Sequence, residues 1–102
     1  MMHHLVLLKV RSDVPASEVE RVFGLLDGLR NDIDGLESFR GGPYSSPEGL
    51  ARGFTHAFVM EFRDAASRDA YLPHPAHEAV KSEVLGILDG GIDAVLAFDF
   101  GA

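Results

Sequence analysis

Three segments of this chain carry apolar side chains at odd and even positions alike: Leu5-Val6-Leu7-Leu8, the run from Phe54 to Phe62, and the run from Asp93 to Phe100. Successive side chains of a strand point to opposite faces, so each segment reads as a strand with two faces to cover. One set of positions is His4, Val6, Leu8, His56, Phe58, Met60, Phe62, Leu96, Phe98 and Phe100. The other is Leu5, Leu7, Ala57, Val59, Val95 and Ala97. A sheet built from them needs a layer on each side.

The rest of the chain supplies one of those layers. The first strand spans roughly His3 to Val10. Asp13 is expected to cap a helix, with Pro15 in its first turn and Glu18 and Glu20 complementing the dipole. Val19, Val22, Phe23, Leu26, Leu29 and Ile33 then share one face, and Gly35 reads as the stop. Leu36 to Arg40 is a short strand, Gly41 to Gly49 has loop chemistry, and Phe54 to Phe62 is the third strand. Asp64 caps a short helix through Tyr71, ended by Pro73. A further helix restarts at Pro75 and turns Ala76, Val80, Val84, Ile87 and Leu88 inward, and Asp93 to Phe100 closes the chain as a strand.

The order β-α-β-β-α-β predicts an α+β, ferredoxin-like sandwich, a four-stranded antiparallel-type sheet with its helices on one face. The first and third strands are expected to be central, adjacent and parallel. Both helical regions are used on one face, so a second copy of the chain is the expected cover for the other. That homodimer would pack sheet on sheet across Leu5, Leu7, Ala57, Val59, Val95 and Ala97.

At 102 residues the chain has the size of one domain, residues 1–102. Nine basic against sixteen acidic residues give a net charge of −7. That excess argues against a general nucleic-acid binder and against adsorption to anionic lipid, both of which need a cationic face. With no cysteine there is neither a disulfide framework nor a thiolate site. The run Leu5 to Leu8 is too short for a signal-peptide core or a membrane span, and a cytoplasmic location is the default expectation.

Histidine carries the chemical interest. His4 and His56 sit near the starts of the two strands expected to be parallel neighbours, on the face the helices cover. Tyr71-Leu72-Pro73-His74-Pro75-Ala76-His77 adds two imidazoles and a phenol at the helix break. His77 precedes Val80 and Val84 by three and seven positions, which puts it on the buried face of the last helix. An imidazole titrates near neutrality and a phenol can donate to a developing oxyanion, so His77 and Tyr71 make an acid–base pair. The competing reading gives His77 a backbone carbonyl and makes Tyr71 a core aromatic. His74, before a proline at a helix start, reads as a cap. His74 and His77 as metal ligands would need a third that the spacing does not supply, so no metal and no cofactor is expected.

Four pieces together resemble the stress-responsive α/β-barrel family, the dimeric α/β-barrel (Dabb) proteins. They are His4-Leu5-Val6-Leu7-Leu8-Lys9, Gly53-Phe54-Thr55-His56-Ala57, the Tyr71 to His77 block, and Phe98-Asp99-Phe100. The resemblance implies ferredoxin-like subunits paired through their sheets into a closed barrel. Many bacterial members are of unknown activity, and plant members include stress-associated proteins. One plant branch is a polyketide cyclase that performs an intramolecular aldol condensation without metal or organic cofactor. On that branch's pattern the base matches His77 and its partner Tyr71, while His4 and His56 match histidines lining the substrate pocket.

The leading expectation is a homodimer with a small apolar pocket in each subunit for a carbonyl or phenolic compound, with polyketide-cyclase-type chemistry at His77 and Tyr71. His4, His56, Tyr71 and His77 are expected to converge on that pocket. Two alternatives stay open: a non-catalytic stress or assembly protein, and a cofactor-free monooxygenase-like barrel. An open cavity touching both Tyr71 and His77 favours chemistry, and a filled one favours the structural role.

Overall fold

Alternating burial along Met2–Leu8 makes β1 the spine of the sheet. His4, Val6 and Leu8 are buried on one face while His3, Leu5 and Leu7 stay partly exposed on the other. The computed structural model describes residues 1–102. Its remaining elements are α1 (Ala16–Gly28), β2 (Leu36–Pro43), β3 (His56–Phe62), α2 (Ala65–Tyr71), α3 (Pro75–Gly86) and β4 (Val95–Gly101), with single 3-10 turns at Leu29–Asn31 and Gly91–Ala94. The four strands lie in the order β2-β3-β1-β4, and every neighbouring pair is antiparallel. This is the expected ferredoxin-like sandwich. No helix is long and apolar enough to cross a membrane.

The core lies between the sheet and the helices. Val19, Val22 and Leu26 of α1 and Val84 of α3 pack on Leu8, Met60 and Phe62. Asp64 caps α2 by accepting from the Ser67 amide at 2.8 Å. His74 caps α3 in the same way, its Nδ1 accepting from the Ala76 amide at 3.0 Å, with Pro75 in the first turn. At α1 the expectation fails: Pro15 occupies the cap position with no side-chain hydrogen bond, and Asp13 instead pairs with Arg11 at 3.1 Å.

Three further expectations are corrected. First, β1 and β3 are adjacent but antiparallel, with His4 opposite Met60 and Leu8 opposite His56. The α1 crossover returns β2 parallel to β1, and the β2–β3 hairpin then reverses the chain. Second, β4 pairs with β1 so that His4 faces Asp99 and Leu5 faces Phe98. Directly opposed residues share a face, so Leu96, Phe98 and Phe100 lie on the open face, and Val95 and Ala97 lie on the helix side. Residue parity carries from strand to strand only through the register, and the register of β4 is odd against even. Third, Gly41, Gly42 and Pro43 are not loop but the end of β2, opposite Phe58, Ala57 and His56.

Candidate functional site

The antiparallel β1–β3 pair decides which histidines can meet. β3 ends at Phe62 opposite Met2, so α2 starts beside the beginning of β1. Its last residue, Tyr71, lies over Phe62, with ring centroids 5.0 Å apart. The Tyr71 ring also meets that of His4 edge-on at 6.0 Å. Leu72 and Pro73 break the helix, α3 restarts at Pro75, and its first turn brings His77 onto Tyr71 with centroids 4.1 Å apart. Three of the four expected residues therefore come together.

His56 does not. It stands at the opposite end of β1, opposite Leu8 and four positions from His4's partner Met60, which is roughly 13 Å along a strand. Phe58 is buried between them. The His56 ring packs edge-on against Phe23 at 6.0 Å, and its Nδ1–H donates to the Thr55 hydroxyl at 2.9 Å. That hydroxyl donates to the Leu8 carbonyl and accepts from the Val10 amide, so His56 helps tie β3 to the end of β1. No small ligand spans His56 and His77. The expected four-residue pocket reduces to His4, Tyr71 and His77.

A cavity of about 160 Å³ opens beside these three, walled mainly by Val6, Leu8, Leu26, Phe58 and Val84. That is room for a molecule near the size of one aromatic ring. Around it each polar group is held in a definite state. His77 Nδ1–H donates to the Leu72 carbonyl at 2.8 Å, which leaves Nε2 of the neutral ring as a free base. Desolvation lowers the pKa of His77, aided by Lys81 and His4, and outweighs the opposing pull of the Leu72 carbonyl and Glu78. Burial pushes the Tyr71 phenol well above its usual value, so it stays a hydrogen-bond donor. Tyr71 is 1% exposed and its hydroxyl has no protein partner. Since no sealed side-chain polar atom lacks one, the hydroxyl opens to the cavity.

His4 adds a network that the sequence reading did not include. Its Nδ1–H donates to Asp99 at 2.7 Å, and Arg68 of α2 donates to the other Asp99 oxygen at 2.7 Å. Burial raises the Asp99 carboxyl, but hydrogen bonds from His4 and Arg68 outweigh it and hold the group below its ordinary value. Asp99 is not legible in the sequence because its face depends on the register of β4 against β1. Arg68 was hidden because nothing in its own sequence neighbourhood marks a contact 31 residues away. No group of three histidine, aspartate or glutamate side chains is arranged to hold a metal.

A larger groove, about 360 Å³, lies on the other side of the sheet, between Leu7, Ala57 and Leu96 and the segment Tyr44 to Phe54. It shares neither Tyr71 nor His77; His56 and Tyr44 line it instead, the Tyr44 hydroxyl accepting from the Gly49 amide at 3.0 Å.

The stress responsive A/B barrel domain (Dabb) model matches residues 2–102. The chain belongs to this family. It is 32% identical over 98 residues to a stress-response A/B barrel domain-containing protein of Arabidopsis thaliana, covering 95% of this chain and 82% of the relative. A dimeric ferredoxin-like protein of unknown function from Jannaschia sp. superposes with a TM-score of 0.88 at 29% identity, over 99% of this chain and 98% of that one. Olivetolic acid cyclase of Cannabis sativa is 26% identical over 74 residues, covering 72% of this chain and 73% of the cyclase. Membership of the Dabb family agrees with the resemblance read from the four sequence pieces.

Proposed function

We propose that this Dabb protein binds a small carbonyl or phenolic compound beside His4, Tyr71 and His77 and performs cofactor-free acid–base chemistry on it, as a homodimer. The observation that carries the reading is the Tyr71–His77 pair. It joins a free imidazole Nε2 and a protonated phenol at the wall of an apolar cavity. His77 Nε2 removes a proton from the carbon next to a carbonyl, and the Tyr71 hydroxyl donates to the enolate oxygen that develops. In a substrate with a second carbonyl, the enolate carbon attacks it, a carbon–carbon bond forms, and the imidazolium returns its proton to the new alkoxide. The similarity to a cyclase supports this reaction class.

The exposed apolar side chains of the open face support the homodimer. Leu96, Phe98 and Phe100 are 43%, 62% and 44% exposed there, and the Jannaschia relative is described as dimeric.

The rival, a non-catalytic stress or assembly protein, is favoured by one observation: Tyr71 is buried against Phe62 as a core aromatic would be. A thermal-shift screen of small phenols and aryl ketones separates the two. On the catalytic reading some of these compounds raise the Tm of the parent, and the shift vanishes in His77→Ala. Tyr71→Phe keeps the packing and costs less than about 1 kcal/mol in stability, because no protein hydrogen bond is lost. A parent that no compound stabilises, together with a Tyr71→Phe loss above that size, would establish the structural role.

A further inference from the structure

The charge around the cavity is unlike that of the molecule as a whole. The chain has sixteen acidic residues and a net charge of −7, yet no aspartate or glutamate lines the cavity beside Tyr71 and His77. Lys81 is the single permanently charged side chain on its wall. It follows His77 by four residues on α3, so the two side chains share a helix face about 5–6 Å apart. Lys81 is exposed, and its ammonium belongs to no ion pair, whereas the neighbouring Glu78 faces His77 at 3.9 Å. The mouth around it is otherwise apolar, formed by Leu72 and Ile92, which are 43% and 64% exposed.

We propose that Lys81 is a specificity-determining residue that makes the cavity select small, largely apolar carboxylates, held with the carboxylate at the mouth and a carbonyl or phenolic oxygen at Tyr71 and His77. The inference rests on the binding reading given above and names the substrate class for that site. A carboxylate entering an apolar mouth sheds water and finds one counter-charge there, so a charge-assisted hydrogen bond to Lys81 offsets the loss. The one-turn spacing of Lys81 and His77 on α3 leaves about one ring's width between the two groups. A neutral ligand of the same shape fills the same space without that bond. The nearest carboxylates stand behind the wall and not on it: Glu78 lies 3.9 Å from His77, and Asp99 is paired with His4 and Arg68.

The test uses 4-hydroxybenzoate and its neutral counterpart 4-hydroxybenzamide, titrated calorimetrically at low ionic strength into the full-length parent, Lys81→Met and His77→Ala. The parent should bind the benzoate about tenfold more tightly than the amide, a difference of about 1.4 kcal/mol. Added salt should weaken the benzoate alone. In Lys81→Met the two affinities should become equal, because the benzoate loses more than the amide. Equal affinities in the parent, or a preference that survives Lys81→Met, would overturn the role of Lys81. The binding reading would still stand if the amide bound and lost affinity in His77→Ala. A parent that binds neither compound would overturn both.

Discussion

At the scale of single residues the protonation of His77 governs the site. Burial lowers the pKa of both His77 and His56, so the folded protein takes up their protons only at a lower pH than the unfolded chain, where histidine titrates near about 6.5. Below that value the unfolded state binds more protons, and stability falls as the pH falls. The stability contributed by the neutral rings is therefore complete above about pH 6.5 and is lost as the pH drops through the folded values. Glu18, Asp64 and Asp99 also have lowered pKa values, but carboxylates act in a more acidic window. Urea unfolding between pH 5 and 8 should thus show a decline on the acid side that is shallower in His77→Gln and in His56→Gln. A slope unchanged in both variants would remove histidine burial as its cause.

At the scale of elements, Gly41 is the position that lets α1 close on the edge strand β2. A Cβ there would stand 2.8 Å from Phe23 Cε2 and 2.9 Å from Phe58 Cβ. The absence of a side chain lets Phe23 of α1 lie on β2 and β3, with ring centroids 6.1 Å from both Phe39 and Phe58. Gly41→Val should destabilise the protein by about 1–3 kcal/mol in chemical denaturation, since the rings must leave their rotamers or the strand must shift. The hairpin that follows is held differently on its two sides. Gly41 to Pro43 are paired to β3, whereas Ser45 to Leu50 are exposed throughout, and Gly49 is tied only to the Tyr44 hydroxyl at 3.0 Å. Hydrogen exchange should find residues 45–52 the fastest-exchanging internal segment, with Gly41 and Gly42 protected like the sheet.

For the whole molecule the open sheet face sets the state of association. Leu5, Leu7 and Val59 stand there half-exposed, beside Leu96, Phe98 and Phe100, and covering them gains about 25 cal/mol per Å² of apolar area. Light scattering should show a dimer at micromolar concentration. Phe98→Asp, which puts a charge at the most exposed aromatic of the face, should give a folded monomer. A monomeric parent would refute this. His3 stacks on Phe100 at 4.9 Å and lies 3.9 Å from Glu61 on the same face, so the interface would enclose these polar groups among its apolar ones.

Local signals were enough for the elements, the caps of α2 and α3, the break at Pro73 and the family, because each depends on residues a few positions apart. Asp64 and His74 cap where short-range chemistry puts them, and His77 falls on the inner side of α3 because helical spacing demands it. Apolar alternation in the strands showed that two faces need cover, but not which residues of β4 belong to which face. That depends on a register, Leu5 against Phe98 and not against its neighbour, and one residue of slip exchanges the faces. Strand direction acted in the same way on the site. His4 and His56 have matching places on their own strands, but an antiparallel pairing sends them to opposite ends of the sheet. Hydrogen bonds that cross the fold, such as Arg68 and His4 meeting on Asp99, exist only once register and direction are set, since no local preference encodes contacts between residues so far apart in the chain.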